Sequence, residues 1–77
     1  MEKKTPYKTI RVGRGVKATI WANEGKNGTW YNVDISRTYK DNKGALQDSS
    51  RFTQQDLLYV AKAAEAAFDE LLAAETE

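Results

Sequence analysis

Apolar and polar residues alternate along the first two thirds of the chain and then recur with a helical period. The alternation is clearest from Val16 to Asn23 and from Thr29 to Lys40, and it is also present from Tyr7 to Val12. Alternate residues of a strand face opposite sides of a sheet, so each segment is predicted to be a strand with one buried face. Ala45 to Phe52 is a weaker fourth strand, expected at an edge because its central residues are polar.

Short segments rich in glycine and asparagine separate these predicted strands. Gly13-Arg14-Gly15 indicates a tight reversal, and Glu24 to Gly28 is the next loop. Asp41-Asn42-Lys43-Gly44 is typical of a type I turn that closes on a left-handed glycine. Connections this short join neighbouring antiparallel strands, so the four strands are expected to form a meander.

A helix is predicted from about residue 54 to residue 74. Thr53 is a favourable N-cap, and Asp56 three residues later completes a capping-box pattern. A helical face follows, with apolar residues at spacings of four and three. Its members are Leu57, Ala61, Ala64, Phe68 and Leu71.

Further apolar residues widen the apolar stripe of this helix beyond the width that one sheet face can cover. A helix of about 21 residues spans about 32 Å, whereas a strand of eight residues reaches only about 27 Å. Leu58 and Leu72 belong to the surplus apolar surface. We therefore expect both residues to lie in a dimer interface between two copies of the chain.

The predicted fold is one α+β domain over residues 1–77, with a curved antiparallel sheet at about 6–52 and one long C-terminal helix. The helix lies across one face of the sheet, which gives two layers. The residues expected beneath the helix are Val16, Ala18, Ile20, Ala22, Val33 and Ile35. No element is left to cover the other face.

The uncovered face combines positive charge, hydroxyls, amides and two indoles. Its members include Thr9, Arg11, Lys17, Thr19, Trp21, Asn23, Trp30, Asn32, Asp34, Ser36, Thr38 and Lys40. Single-stranded nucleic acids are held by such a combination, in which cations contact phosphates and aromatic rings stack on bases. Arg14, Lys26 and Lys43 extend the basic track into the loops. The two tryptophans could instead form a cross-strand pair or seal a dimer.

Composition removes several other functions. The chain has no cysteine and no histidine, so the commonest metal ligands and the commonest general base are absent. Residues 1–53 contain eleven Lys and Arg against five Asp and Glu, and residues 54–77 contain one against six. This asymmetry favours a polyanionic partner. Asp34 has no second carboxylate placed to work with it, so we predict a protein that is not an enzyme and has no metal or cofactor. Without a signal-like or membrane-spanning segment, a cytoplasmic location is expected.

Three short segments resemble the PC4-like family of single-stranded-DNA-binding transcription coactivators and their bacterial and phage relatives. They are Arg14-Gly15-Val16-Lys17, Val33 to Tyr39, and Phe52 to Leu58. The resemblance implies a curved sheet followed by a long helix, dimerisation through helices and sheets, and a channel for a single strand. Carried over to this chain, it implies nucleic-acid contacts from Arg14, Lys17, Trp21, Trp30, Arg37 and Lys40.

The sequence therefore predicts a homodimeric module that binds single-stranded DNA or RNA through a basic, aromatic sheet face. The predicted binding residues are Arg11, Arg14, Lys17, Trp21, Lys26, Trp30, Arg37 and Lys40. The alternative is a protein-interaction or assembly module that uses the tryptophan face and the alanine-rich helix without binding nucleic acid. Reading of double-stranded DNA by the sheet is a third hypothesis.

Overall fold

Four strands and a C-terminal helix make up the computed structural model of the chain, which describes residues 5–75. The elements are β1 (Thr5–Gly13), β2 (Val16–Gly25), β3 (Gly28–Lys40), β4 (Leu46–Ser49) and α1 (Leu57–Glu75), with a single 3-10 turn at Gln54–Asp56. The strands form one antiparallel sheet in the order β1-β2-β3-β4. The predicted α+β arrangement of a four-stranded meander followed by one helix is confirmed.

Each turn follows from its residues. Arg14 and Gly15 have φ values of 50° and 77°, which make the tight reversal between β1 and β2. The turn between β3 and β4 is held by Asp41, whose carboxylate accepts hydrogen bonds from the N–H groups of Lys43 and Ala45, both at 2.9 Å. The expected five-residue loop between β2 and β3 is wrong, because the strands stay paired up to Gly25 and Gly28.

The core lies between β2 and α1. Val16, Ala18 and Ile20 occupy alternate positions of β2 and are completely buried, together with Ala63 and Ala67 of α1. Burying one Ile, Leu or Val side chain contributes about 1.5–3 kcal/mol, so this small cluster supplies much of the stability of the domain. The helix packs mainly on β1 and β2, which leaves Val33 of β3 37% exposed on the same face.

The predicted packing face of the helix is wrong. Leu57, Ala61, Ala64 and Phe68 are exposed, and only Leu71 of the predicted set packs against the core. The buried face is instead formed by Ala63 and Ala67, flanked by Tyr59 and Val60. These residues also recur at helical spacing, and the small alanine side chains allow close approach of the helix to the sheet. The prediction favoured the larger residues because they are more hydrophobic. In the structure, Leu57 and Phe68 instead form an apolar surface that faces away from the sheet.

A buried carboxylate fixes the start of the helix. Asp56 is 1% exposed. Its Oδ2 accepts hydrogen bonds from the Thr53 N–H at 3.0 Å and from the Thr53 hydroxyl at 2.9 Å. The predicted pairing of Thr53 and Asp56 at the helix N-terminus is confirmed.

Candidate nucleic-acid interface

Register decides which side chains share the sheet face opposite the helix, called here the outer face. Lys17 pairs with Ser36, Thr19 with Asp34, Trp21 with Asn32, and Asn23 with Trp30. On the other side of β2, Thr9 and Arg11 of β1 pair with Thr19 and Lys17. Because alternate residues point the same way, these positions form one surface across β1, β2 and β3.

A shallow groove of about 650 Å³ lies on this surface. Its lining includes Thr9 of β1, Lys17 and Trp21 of β2, Ser36 of β3 and Asp48 of β4. The groove therefore crosses all four strands and is lined by a cation, an indole and several hydroxyls. The contributions of Asp48 and its neighbours Ser49 and Ser50 were not anticipated, although alternation along β4 gives a signal for Asp48.

Trp21 is held in place on the outer face. Its indole Nε1 donates a hydrogen bond of 3.0 Å to Asp34 Oδ2 across the strand pair. The side chain is half-buried, and it lines the groove together with Asp34. The function of Asp34 visible in the structure is therefore to orient the indole, which leaves the ring fixed beside the groove.

Trp30 is the more accessible of the two tryptophans, with 49% of its surface exposed. Its ring lies against the backbone of Gly25, where an added Cβ would be only 2.7 Å from the ring. The register sets Trp30 diagonally from Trp21, and no ring contact joins the two within residues 5–75. The predicted cross-strand tryptophan pair is therefore absent from the described part of the chain, and the exposed ring surface of Trp30 is available.

Asn23, expected on the exposed surface, is 7% exposed, and its Nδ2 has no hydrogen-bond partner. Asn23 lies between Trp21 and Gly25 on β2 and opposite Trp30, so it shares its sheet face with both indoles. Sequence alternation identified the face correctly but did not predict the burial of this side chain.

The charge of the outer face is partly neutralised. Lys17 Nζ lies 3.3 Å from Asp48 Oδ2, and Thr38 donates a 2.6 Å hydrogen bond to Asp48 Oδ1. The Thr38 hydroxyl and then Lys17 lower the pKa of the Asp48 carboxyl below its ordinary value. Arg11 and Lys40 are exposed at the two sides of the sheet and have no ion-pair partner in the described residues.

Two predicted binding residues face the helix start instead. Arg14 Nε donates a 3.1 Å hydrogen bond to Asp56 Oδ1. Arg37 Nε lies 3.3 Å from Asp56 Oδ2, close enough for an ion pair but without the geometry of a hydrogen bond. The pKa of the Asp56 carboxyl is lowered, chiefly by the Thr53 N–H and additionally by Arg14. Arg37 is on the helix-facing side of β3 and not on the outer face.

The structure thus brings together five of the eight predicted binding residues on the outer face: Arg11, Lys17, Trp21, Trp30 and Lys40. Lys26 lies in the turn that joins β2 and β3, at the end of the sheet nearest Trp30. Arg14 and Arg37 form a separate cluster around Asp56. Any ligand that contacts both groups would have to pass around the edge of the sheet.

Within residues 5–75, no group of three or more acidic side chains is placed to hold a metal ion. No helix in that part of the chain is long and apolar enough to cross a membrane. Comparison with protein-family models, curated proteins and solved structures finds no match to the chain. The resemblance to the PC4-like family therefore stays a prediction.

Proposed function

We propose that the chain is a cytoplasmic module that binds single-stranded nucleic acid on the outer face of its sheet. The observation that carries this proposal is the groove across all four strands, which Lys17 and Trp21 line from the same face of β2. No other surface of the described chain combines cations with accessible indoles. The proposed ligand is a single strand because its bases are free to stack on side chains.

The two tryptophans have different functions in this proposal. Trp30 offers an exposed ring for stacking, and each base–aromatic stack contributes about 1–3 kcal/mol. Trp21 is fixed by Asp34 and forms a rigid wall of the groove. The hydroxyls of Thr19 and Ser36 also line the groove and can donate to base or phosphate oxygens. This chemistry tolerates any base, so weak sequence preference is expected.

The ion pairs limit the affinity. Arg11, Lys26 and Lys40 are the exposed predicted cations, whereas Lys17 is paired with Asp48. Neutralisation of three phosphates gives a slope of about −2 for the logarithm of affinity against the logarithm of salt concentration. We therefore expect binding at low salt that weakens strongly towards physiological salt.

We also propose that the module is a homodimer that pairs through α1. Leu58 is 78% exposed and Leu72 is 46% exposed, and Leu57 and Phe68 add further exposed apolar surface. These four side chains form an exposed apolar surface on α1, of the kind that marks interaction sites when it is contiguous. Leu58 and Leu72 remain the predicted interface residues.

Titration of the intrinsic tryptophan fluorescence with an oligothymidine at low salt tests the binding proposal. Binding is expected to change the emission of Trp21 and Trp30 and to increase the anisotropy of a labelled strand. Unchanged emission and anisotropy up to high micromolar strand concentrations would refute it, and an affinity independent of salt would contradict its electrostatic part. Duplex DNA in the same assay separates single-strand binding from double-strand binding.

The exposed apolar surface of α1 favours a second candidate, a protein-interaction module without nucleic-acid affinity. This candidate, which uses the tryptophan face as well as the helix, predicts that Trp21→Ala abolishes a protein complex. It also predicts that Trp21→Ala leaves any oligonucleotide affinity unchanged. The nucleic-acid proposal predicts the reverse for the Trp21 variant, so the two candidates give opposite results in one titration.

A further inference from the structure

One side of β3 has no strand partner over most of its length. β3 pairs with β2 from Gly28 to Arg37 but with β4 only from Arg37 to Lys40. Among residues 5–75, no strand lies on the second side of 28–36. We call this nine-residue segment the free edge of β3.

The backbone of the free edge presents a regular row of hydrogen-bonding groups. Only two residues separate Gly25 from Gly28, and the residues that flank such a hairpin turn form a hydrogen-bonded pair. Even-numbered residues of β3 therefore bond to β2, as the 2.9 Å hydrogen bond from the Thr38 N–H to the Gly15 carbonyl confirms. The odd-numbered residues Thr29, Tyr31, Val33 and Ile35 consequently direct their N–H and C=O groups outwards.

The β1 edge of the sheet is protected against pairing, and the free edge of β3 is not. β1 carries Pro6, Lys8 and Arg11, and its pairing with β2 is interrupted by two register shifts. Charges, proline and bulges of this kind keep an edge strand from pairing with another chain. From Thr29 to Ser36 there is no proline, lysine or glycine, and the single charged residue, Asp34, is bound to Trp21.

We propose that the free edge of β3 pairs antiparallel with the free edge of a second copy of this chain. A two-fold axis at Asn32 sets Gly28 opposite Ser36 of the partner subunit. All nine residues then pair, and the pairing ends where β4 begins. Thr29 and Tyr31 bond to Ile35 and Val33 of the partner subunit, and by symmetry this gives about eight backbone hydrogen bonds. A two-fold axis at Val33 would give only about six backbone hydrogen bonds, and it would place the partner strand where β4 lies.

The side chains fit the same register. On the helix side, Tyr31 lies opposite Val33 of the partner subunit, an aromatic and β-branched pair of the kind that stabilises sheets. On the outer face, Trp30 lies opposite Asp34 of the partner subunit. A groove of about 580 Å³ lies beside this part of β3, lined by Trp21 of β2 together with Asn32, Val33 and Asp34. The outer faces of the two subunits would then join into one continuous sheet surface.

Amide hydrogen exchange measured by NMR without nucleic acid tests the pairing and is independent of the proposed function. In an unpaired edge, the amides of Asn32 and Asp34 are protected by β2 while those of Tyr31, Val33 and Ile35 exchange freely. Pairing predicts that the odd-numbered amides become as slow as their neighbours at millimolar protein and lose this protection on dilution. Alternating protection that persists at millimolar protein would overturn the proposal.

Two substitutions separate this contact from the one proposed for α1. Leu58→Lys removes the helix contact, so sedimentation equilibrium of that variant is expected to show a dimer formed through the free edge. Adding Val33→Pro removes one outward N–H from each subunit and should raise the dimer dissociation constant by about 30-fold or more. A monomeric Leu58→Lys variant, or a dimer that Val33→Pro does not weaken, would overturn the inference. If Val33→Pro prevents folding, the exchange pattern of Leu58→Lys decides.

Discussion

Removing the negative charge of Asp48 should strengthen nucleic-acid binding. In the groove, which Trp21 also lines, Asp48 Oδ2 lies 3.3 Å from Lys17 Nζ and so forms an ion pair with this cation. Asp48→Asn keeps an oxygen that can accept the 2.6 Å hydrogen bond from Thr38, so the end of β4 should stay in place. The freed Lys17 is then available to a phosphate.

The size of the effect follows from counterion release. One additional neutralised phosphate changes the salt slope by about −0.7, which corresponds to about a fivefold gain in affinity at 0.1 M salt. Fluorescence anisotropy of a labelled oligothymidine at several salt concentrations measures both quantities. Asp69→Asn on α1 is the matched control because it makes the same charge change on an exposed residue away from the groove.

Two results would refute this reasoning. An Asp48→Asn variant with unchanged affinity and unchanged slope would show that Lys17 does not contact the strand. An equal gain in the Asp69→Asn control would show that net charge alone, and not the outer face, governs binding.

Three further predictions concern the fold. Gly15→Ala should lower the free energy of unfolding, measured in urea, by about 2 kcal/mol or more, because φ is positive at Gly15 and the new Cβ meets a backbone carbonyl. Gly44→Ala is the matched control. Its φ is also positive but its Cβ meets open space, so the free energy of unfolding should fall by only about 1 kcal/mol. Ile20→Ala should lose about 2–5 kcal/mol and leave the chain largely unfolded by circular dichroism. Asp56→Asn should lower the thermal midpoint at neutral pH. The pKa of Asp56 in the folded protein is lowered, so its carboxylate stabilises the fold above the ordinary pKa of 3.8. This stabilisation is lost as the pH falls through the folded pKa. The thermal midpoints of wild type and variant should therefore converge in acid.

The sequence predicted the fold well where local chemistry determines it. Alternation in β2 and β3 gave the correct faces, and the pattern of Thr53 and Asp56 gave the helix start. The helix rotation was wrong because alanines at 63 and 67 allow closer packing than the larger residues at 57 and 68, a preference that depends on the sheet beneath them.

The candidate site was predictable in part for a similar reason. Trp21 and Lys17 share a strand face by simple alternation, so their proximity was foreseeable. The ion pair between Lys17 and Asp48 depends on how β4 aligns with β3. The ion pairs of Arg14 and Arg37 with Asp56 depend on where the helix begins over the sheet. These contacts join residues distant in sequence, and periodicity carries no information about them.

NMR titration of the labelled protein with an oligothymidine shows residue by residue whether single strands bind on the outer face. The proposal predicts that the indole N–H signals of Trp21 and Trp30 and the amides of Thr19, Asn32 and Ser36 shift together as strand is added. Signals of the buried helix residues Ala63 and Ala67 should stay in place. Shifts confined to α1, or no shifts at high strand concentrations, would show that the outer face does not bind single strands.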